Sequence, residues 1–344
     1  MSTDRRATIA AIRSQLPARI VTNAELAPDV GWTAEEIFAK TGIAQRHVAG
    51  PDECVSDLAT GAAEKLLRDT GADRARVDFL ILCTQTPDHL LPATACLVHA
   101  RLGLGAACAA FDLNQGCSGY LYALGVAAAL IRSGMAASGL VLTGDTYTKF
   151  IHPRDRSVRT LFGDAATATL LRATTGPGLD HFVFGTDGAG ARNLIIPAGG
   201  TRLPRSAETA QAVTDASGNT RAPDHLLMNG TQIFNFTLQR VPGLVAGVLA
   251  AAGRRPEEID WFVFHQANRF MLDHLRQKLG VPPEKMVWFL ENTGNTVSSS
   301  IPLALEHAAA AGRFAPGQRV LLAGFGVGYS WGGALLEWPG DYRP

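Results

Sequence analysis

Residues 112–124 read "DLNQGCSGYLYAL". An apolar, β-rich run, "AACAAFDL" at 106–113, ends in polar and glycine residues. A cysteine follows at once, and then a long Ala/Leu helix pattern, "GYLYALGVAAALIR" at 119–132. A buried strand that turns sharply into a covering helix is a building unit of layered α/β folds. The junction predicts that Cys117 lies at the helix N-terminus, where unpaired backbone N–H groups and the helix dipole stabilise a thiolate and lower the thiol pKa. Gly116 and Gly119 allow the sharp turn and the close approach of another backbone. Cys117 is thus placed to attack an electrophile; the competing reading is a small buried hydrophobe.

The same alternation extends along the chain. Strand-like runs at 78–84 "DFLILCT", 139–144 "GLVLTG", 260–265 "DWFVFH" and 319–324 "RVLLAG" are interspersed with helix patterns such as 241–252 "VPGLVAGVLAAA". This predicts buried sheets covered by helices. The chain also resembles itself: "RVDFLILCTQ" at 76–85 echoes "EIDWFVFHQA" at 258–267, with Asp78 and Asp260 182 residues apart, and "GLVLTG" echoes "RVLLAG" at an offset of 180. Two matches at nearly one offset predict a duplication, with halves at 1–175 and 176–344 and a seam near 172–182. One stretch, 199–224, is polar, Gly/Pro-rich and aperiodic, and predicts a long surface loop or a flap over a site.

Composition narrows the function classes. The 344 residues carry 31 Lys plus Arg against 31 Asp plus Glu, so no basic patch asks for nucleic acid. No apolar run reaches the ~18 to 20 residues of a membrane span without interruption, and the N-terminus lacks a secretory signal, so no membrane role and a cytoplasmic location are expected. Cys54, Cys83, Cys96, Cys108 and Cys117 are odd in number and form no C-x-x-C pair. That excludes a disulfide framework and a zinc knuckle, and no metal is expected.

The second half supplies partners for Cys117. His265 ends the strand "DWFVF" and stands, through the repeat, where Cys83 stands in the first half, so the halves would bring different groups to one cleft. Asn295 follows a glycine in "ENTGNTVSSSIPLAL" (291–305), at the position equivalent to the Cys117 junction, and reads either as a functional amide or as an N-cap. The loop "GFGVGYSWGG" (324–333) could bring backbone N–H groups to a substrate carbonyl, or be a glycine turn between strands.

Taken in order, Cys117, "HQAN" at 265–268, "GNT" at 294–296 and the terminal glycine loop resemble the β-ketoacyl-acyl-carrier-protein synthase III family of thiolase-fold condensing enzymes. "KTGIAQRHVA" (40–49), "FGDAATATLL" (162–171), "GTDGAG" (185–190) and "MNGTQIFNF" (228–236) also look like family segments, over nearly the whole chain. The resemblance implies an α/β thiolase fold, a duplicated five-layer αβαβα arrangement, and a homodimer. It makes Cys117 the acyl-accepting nucleophile, with its own N–H and that of Val327 as the oxyanion hole. His265 and Asn295 would hold the malonyl thioester carbonyl, stabilising the enolate left by carbon dioxide. Phe325 would flank the nucleophile. No cofactor is implied; acyl-CoA and the phosphopantetheine thioester of an acyl carrier protein are substrates and partners.

Some positions depart from the family pattern. Arg156 matches the adenine-stacking arginine and Lys40 the basic residue before "TGI", while Glu36 or Ile37 stands where a tryptophan is usual and Trp32 lies too far upstream to serve. Asn268 completes the expected CoA-binding set. The arginine after "HQAN" comes one residue early, as Arg269; with Arg276, Lys278 and Lys285 it would face an acidic carrier protein or form a solvated helix face. Leu91 matches a position from which the dimer mate usually plugs the acyl tunnel with phenylalanine. Tyr147, Lys149 and Arg159 in "TYTKFIHPRDRSVR" (146–159) make a lid suited to a polar or carboxylated acyl group, with Tyr147 at the pocket. The expectation is an acyltransferase that acylates Cys117 and extends the acyl group with malonyl-carrier protein or malonyl-CoA. The alternatives are transfer to an alcohol or amine without decarboxylation, which does not need Asn295, and a non-catalytic subunit, which would commonly lack the Cys or His.

Overall fold

The computed structural model describes residues 5–344. Nine strands carry the fold: β1 Arg6–Gln15, β2 Phe79–Cys83, β3 Ala109–Leu113, β4 Ser138–Asp145, β5 Ala165–Thr174, β6 Leu179–Thr186, β7 Trp261–Phe264, β8 Arg319–Gly326 and β9 Ser330–Glu337. Their order is β7-β8-β9-β6-β1-β5-β4-β2-β3. β1 and β6 meet through the single pair Ala7–Leu179, so this is two half-sheets joined at a narrow seam.

The half-sheets have one topology. In the first, β1–β5 and β5–β4 are antiparallel and β4–β2 and β2–β3 parallel. In the second, β6–β9 and β9–β8 are antiparallel and β8–β7 parallel, and the counterpart of β3 is reduced to one parallel bridge, Phe262–Met286. Phe79 pairs with Gly139 and Trp261 with Val320, so the structure offsets this strand pair by 181 residues, one more than the 180 of the sequence match.

Two helices, Gly119–Arg132 and Ser300–Ala310, lie between the half-sheets. The first touches β1, β4, β8 and β9, and the second touches β1 and β7, so each sees both halves. That position explains their composition: Tyr120, Leu121, Leu124, Ile301 and Leu305 are all buried, and Ala fills the close contacts between. Outer layers are the helix Val55–Thr70 on β1, β4 and β5 and the helix Gly230–Ala252 on β6, β8 and β9. Helices, sheet, central helices, sheet and helices make the five layers.

Gly230–Ala252 corrects one expectation from the sequence. Its 23 residues, with a mean hydropathy of 1.3 in the richest window, are long and apolar enough to cross a membrane. The glycines and the single Arg240 do not lower the mean enough to exclude it. Here the helix buries Ile233, Phe236, Val241, Leu244, Val245 and Val248 as an outer layer of the core. The stretch 199–224 is largely exposed but not structureless: a short hairpin, Val213–Thr214 with Thr220–Arg221, docks on residues 154–156.

Candidate active site

β3 ends at Leu113, three turn residues follow, and the helix begins at Gly119 with Ser118 before it, so Cys117 stands just outside the first helical turn. The glycines nearby are steric necessities. A Cβ on Gly326 would lie 2.7 Å from the Cys117 sulfur, and one on Gly116 2.4 Å from the Val327 side chain. The end of β8 is therefore pressed against the Cys117 side chain. Ser330 Oγ pins it there, lying 2.6 Å from Ser118 Oγ and donating to the Val327 carbonyl at 2.8 Å.

Burial pushes the Cys117 thiol up to about 12, against the backbone N–H of Val327 and the Cys117 N–H, both of which reach the sulfur and favour its thiolate. The sequence-based expectation of a lowered pKa is corrected: desolvation of a fully enclosed sulfur outweighs the helix terminus and both donors. Those same two N–H groups are the pair that the family resemblance implies for an oxyanion hole.

His265 ends β7, its N–H donating to Ala323 on β8 at 2.9 Å. The fully buried Gln266 fixes this end, donating to the Phe264 carbonyl at 2.6 Å and accepting from the Phe289 N–H at 2.9 Å. Burial pushes the His265 ring down to about 3, so it is neutral, with Nδ1 2.7 Å from Ser300 Oγ. Phe325 lies edge-on to it, with ring centroids 5.8 Å apart.

Asn295 is held by its backbone: its N–H donates to Leu161 at 2.9 Å and its carbonyl accepts from Gly163 at 3.1 Å. Gly294, at φ +68°, makes that crossing possible, since a Cβ there would meet the Leu161 oxygen at 2.7 Å. The Asn295 side-chain oxygen accepts from the Val297 N–H at 3.0 Å, which leaves its NH₂ as the free donor. The N-cap reading fails, because Ser299 precedes the helix Ser300–Ala310.

Cys117, His265 and Asn295 are each at most 5 % exposed and line one cavity of about 80 Å³. Its other walls are Leu161, Phe162, Leu194, Met228, Ile233, Met271 and Phe325, with Thr237 and Asn268 among the few polar groups. Asn268 also caps the helix Arg269–Lys278, accepting from Met271 N–H at 2.8 Å. Among the described residues no three His, Cys, Asp or Glu side chains gather as metal ligands.

Several expected site residues sit elsewhere. Tyr147 is buried behind Phe162, ring centroids 5.3 Å apart, and donates to Gln85 Oε1 at 2.5 Å; it does not line the cavity. Lys149 donates to the Pro51 carbonyl at 2.7 Å and Arg159 is largely buried. Tyr147 and Lys149 spend their polar atoms on the protein, Arg159 keeps its Nε buried without a partner, and none of the three lines the largely apolar cavity, which corrects the expected polar lid. Leu91 is 82 % exposed and does not line the cavity of its own chain. Arg276 is paired with Asp273 at 2.9 Å and donates to the Val281 carbonyl, and Lys285 donates to the carbonyls of Glu257 and Ile259, so neither projects freely. Lys278 is exposed; Arg269 stacks on Trp288 at 4.0 Å.

Trp32, set aside by its sequence position, lies next to the two basic residues Arg156 and Lys40 in the structure. The Arg156 guanidinium lies 5.0 Å and the Lys40 ammonium 5.2 Å from the centre of its ring. Gly31, at φ +69°, turns the chain, and Thr33 caps the helix Ala34–Thr41, so Trp32 folds back beside Lys40 from outside the helix. Arg156 is held over it by the Ser217 carbonyl of the docked hairpin. Asp145 was also missed: this buried carboxyl accepts from the Gln85 N–H at 2.9 Å and from Ser298 Oγ at 2.5 Å, and burial pushes it up to about 7.

A duplicated five-layer α/β fold with a cysteine, a neutral histidine and an asparagine amide in one apolar cavity defines a thiolase-fold acyltransferase. Residues 111–188 match the family described as 3-oxoacyl-[acyl-carrier-protein (ACP)] synthase III, and residues 249–338 its C-terminal counterpart. A β-ketoacyl-[acyl-carrier-protein] synthase III of Streptomyces coelicolor is 41 % identical over 97 % of this chain and 98 % of its own length. One of Rhodospirillum rubrum is 41 % identical over 96 % and 99 %. A crystal structure of a 3-oxoacyl-(acyl-carrier-protein) synthase III superposes with a TM-score of 0.94 at 51 % identity, covering 97 % of this chain and all of that one. The chain belongs to the 3-oxoacyl-[acyl-carrier-protein] synthase III family and is a condensing acyltransferase of that type.

Proposed function

We propose that Cys117 takes an acyl group from acyl-CoA and that His265 and Asn295 drive its decarboxylative condensation with a malonyl thioester of acyl carrier protein or CoA. The observation that carries this is the shared cavity. The backbone N–H groups of Val327 and Cys117 act on the Cys117 sulfur, and two neutral side-chain donors open on the same space. The thiol attacks the thioester carbonyl, CoA leaves as thiol, and the acyl group rests on sulfur. A malonyl thioester then loses carbon dioxide; its enolate oxygen is where two fixed donors act most strongly, because charge develops there only in the transition state. The enolate carbon attacks the Cys117 acyl carbon, the C–S bond breaks, and Cys117 leaves as thiolate, which takes a proton from solvent to regenerate the thiol. The test is intact-protein mass after incubation with a panel of acyl-CoAs and acyl-carrier proteins, together with carbon dioxide release from malonyl-carrier protein. Failure to acylate Cys117 with any donor overturns the reading. We place the reaction in the cytoplasm, where free thiols such as these five cysteines stay reduced.

Trp32 supports CoA as the donor, since the indole, with Arg156 and Lys40 beside it, gathers a stacking face and two cations suited to a nucleotide once Arg156 moves off the ring. Trp32→Ala is expected to raise KM for acyl-CoA about tenfold, the scale of losing one base-stacking contact, and to leave KM for acyl-carrier protein unchanged. Steady-state kinetics with both donors check this; equal effects on the two donors would remove the clamp from nucleotide binding.

A homodimer is the assembly this reading needs. β3 is the last strand of the sheet with one edge unpaired, and Leu90 and Leu91 stand 88 % and 82 % exposed nearby. Leu91 from the mate would close the acyl end of the cavity. Leu91→Phe should then shift preference to shorter acyl groups, with each excluded methylene worth roughly 1 to 3 kcal/mol in selectivity. A chain-length profile that does not move, measured with a homologous acyl-CoA series, would place the end of the tunnel elsewhere. Arg269 and Lys278, exposed on the helix that Asn268 caps, remain the docking candidates for an acidic carrier protein.

A further inference from the structure

The three consecutive serines after Asn295 each hold something different. Ser298 Oγ donates to Asp145 at 2.5 Å, Ser299 Oγ lies 2.9 Å from Thr143 Oγ1, and Ser300 Oγ lies 2.7 Å from His265 Nδ1. We propose that Ser300 is a positioning residue that fixes the His265 proton on Nε2, so that the ring presents an N–H donor to the cavity.

The argument is a count of protons. His265 is buried and neutral, so one ring nitrogen carries hydrogen and the other accepts. Ser300 Oγ accepts the Gln266 backbone N–H at 3.3 Å. Its own proton then has one acceptor within reach, His265 Nδ1. If Nδ1 carried the ring proton instead, Oγ would accept twice and its hydroxyl proton would be buried without a partner, the costlier arrangement. With Nδ1 accepting from Ser300, Nε2 must bear hydrogen. Val297 holds the uncommon φ of +53°, and its N–H turns onto the Asn295 side-chain oxygen. The two ends of the "VSSS" turn thus act on the two catalytic donors: Val297 N–H orients the Asn295 amide, and Ser300 orients the imidazole.

This inference rests on the assignment of His265 to decarboxylation, and its test separates the two. Nitrogen-15 spectra of protein labelled in the histidine rings, with the His265 signals identified by their loss in His265→Ala, should show a protonated Nε2 and a bare Nδ1 in the wild type. Ser300→Ala should show a mixture of the two tautomers and release carbon dioxide from malonyl-carrier protein about tenfold more slowly, the population effect of one buried hydrogen bond. Ser300→Thr, which keeps the hydroxyl, should restore the single tautomer and the rate. A wild-type ring protonated on Nδ1, or a Ser300→Ala spectrum identical to the wild type, overturns the inference. If Ser300→Ala does not fold, the wild-type spectrum still decides. If the wild type shows the expected tautomer yet releases no carbon dioxide from any malonyl thioester, the decarboxylation assignment fails and the role of Ser300 in setting the ring stands.

Discussion

Replacing Cys117 by alanine is expected to abolish acyl-enzyme formation, with a loss of turnover on the order of 10⁶, the scale of removing a covalent nucleophile. Cys117→Ser should behave alike, because a serine hydroxyl without a dedicated base is a poor nucleophile at neutral pH. The other cysteines make the controls. Cys54 also sits at a helix N-terminus, before Val55–Thr70, yet it does not line the cavity that holds Cys117, His265 and Asn295. Cys83 lies directly behind the nucleophile, its thiol donating to the Gln115 carbonyl at 3.1 Å and held well above the usual thiol range by burial. Cys83→Ala should cost about 1 kcal/mol of stability and keep acylation. Cys96→Ala and Cys108→Ala should also acylate. The measurement is intact mass after exposure to acyl-CoA, and persistent acylation of Cys117→Ala would show that helix position and cavity do not select the reactive thiol.

What the sequence made legible was what chain neighbours decide. The strand, turn and helix around Cys117 follow from a dozen consecutive residues, and His265 became a candidate because it ends a strand that repeats β2 and opens the family-like "HQAN". The topology of the half-sheets follows the same repeat, with the partner strand slipped by one residue from the sequence match. What was not legible depends on partners far along the chain. Trp32 serves as a platform because a left-handed glycine turns it toward Lys40 and because the hairpin near 217 delivers Arg156, 124 residues away. Tyr147 looks like a lid residue until its hydroxyl is traced to Gln85, 62 residues back. The thiol pKa failed for a related reason: a helix terminus is local, but desolvation is set by every layer that closes over Cys117. One misreading was avoidable, since Asp273 three residues before Arg276 announces a helical ion pair.

The two half-reactions are expected to come apart under mutation, and the separation distinguishes condensation from plain acyl transfer. Acylation uses the Cys117 sulfur and the N–H groups of Cys117 and Val327, none of which touches Asn295. Decarboxylation needs donors aimed at the malonyl carbonyl. The Asn295 amide is turned to donate because its oxygen is already taken by Val297, and His265 stays neutral because burial holds it down to about 3. A ring that resists protonation this strongly acts as a hydrogen-bond donor and not as a proton source, which suits stabilising an enolate. Asn295→Ala should leave acylation of Cys117 largely intact and cut condensation by about 10² to 10³, the usual effect of removing one preorganised donor. His265→Ala should do the same or more, and the double variant should lose less than the product of the two, because both donors serve one oxygen. Carbon dioxide release from labelled malonyl-carrier protein, followed beside acyl-enzyme mass, reads both steps in one sample. If the wild type releases none and still passes its acyl group to a hydroxyl or amine, the two donors serve an acceptor other than malonate, and the condensation assignment gives way to simple acyl transfer.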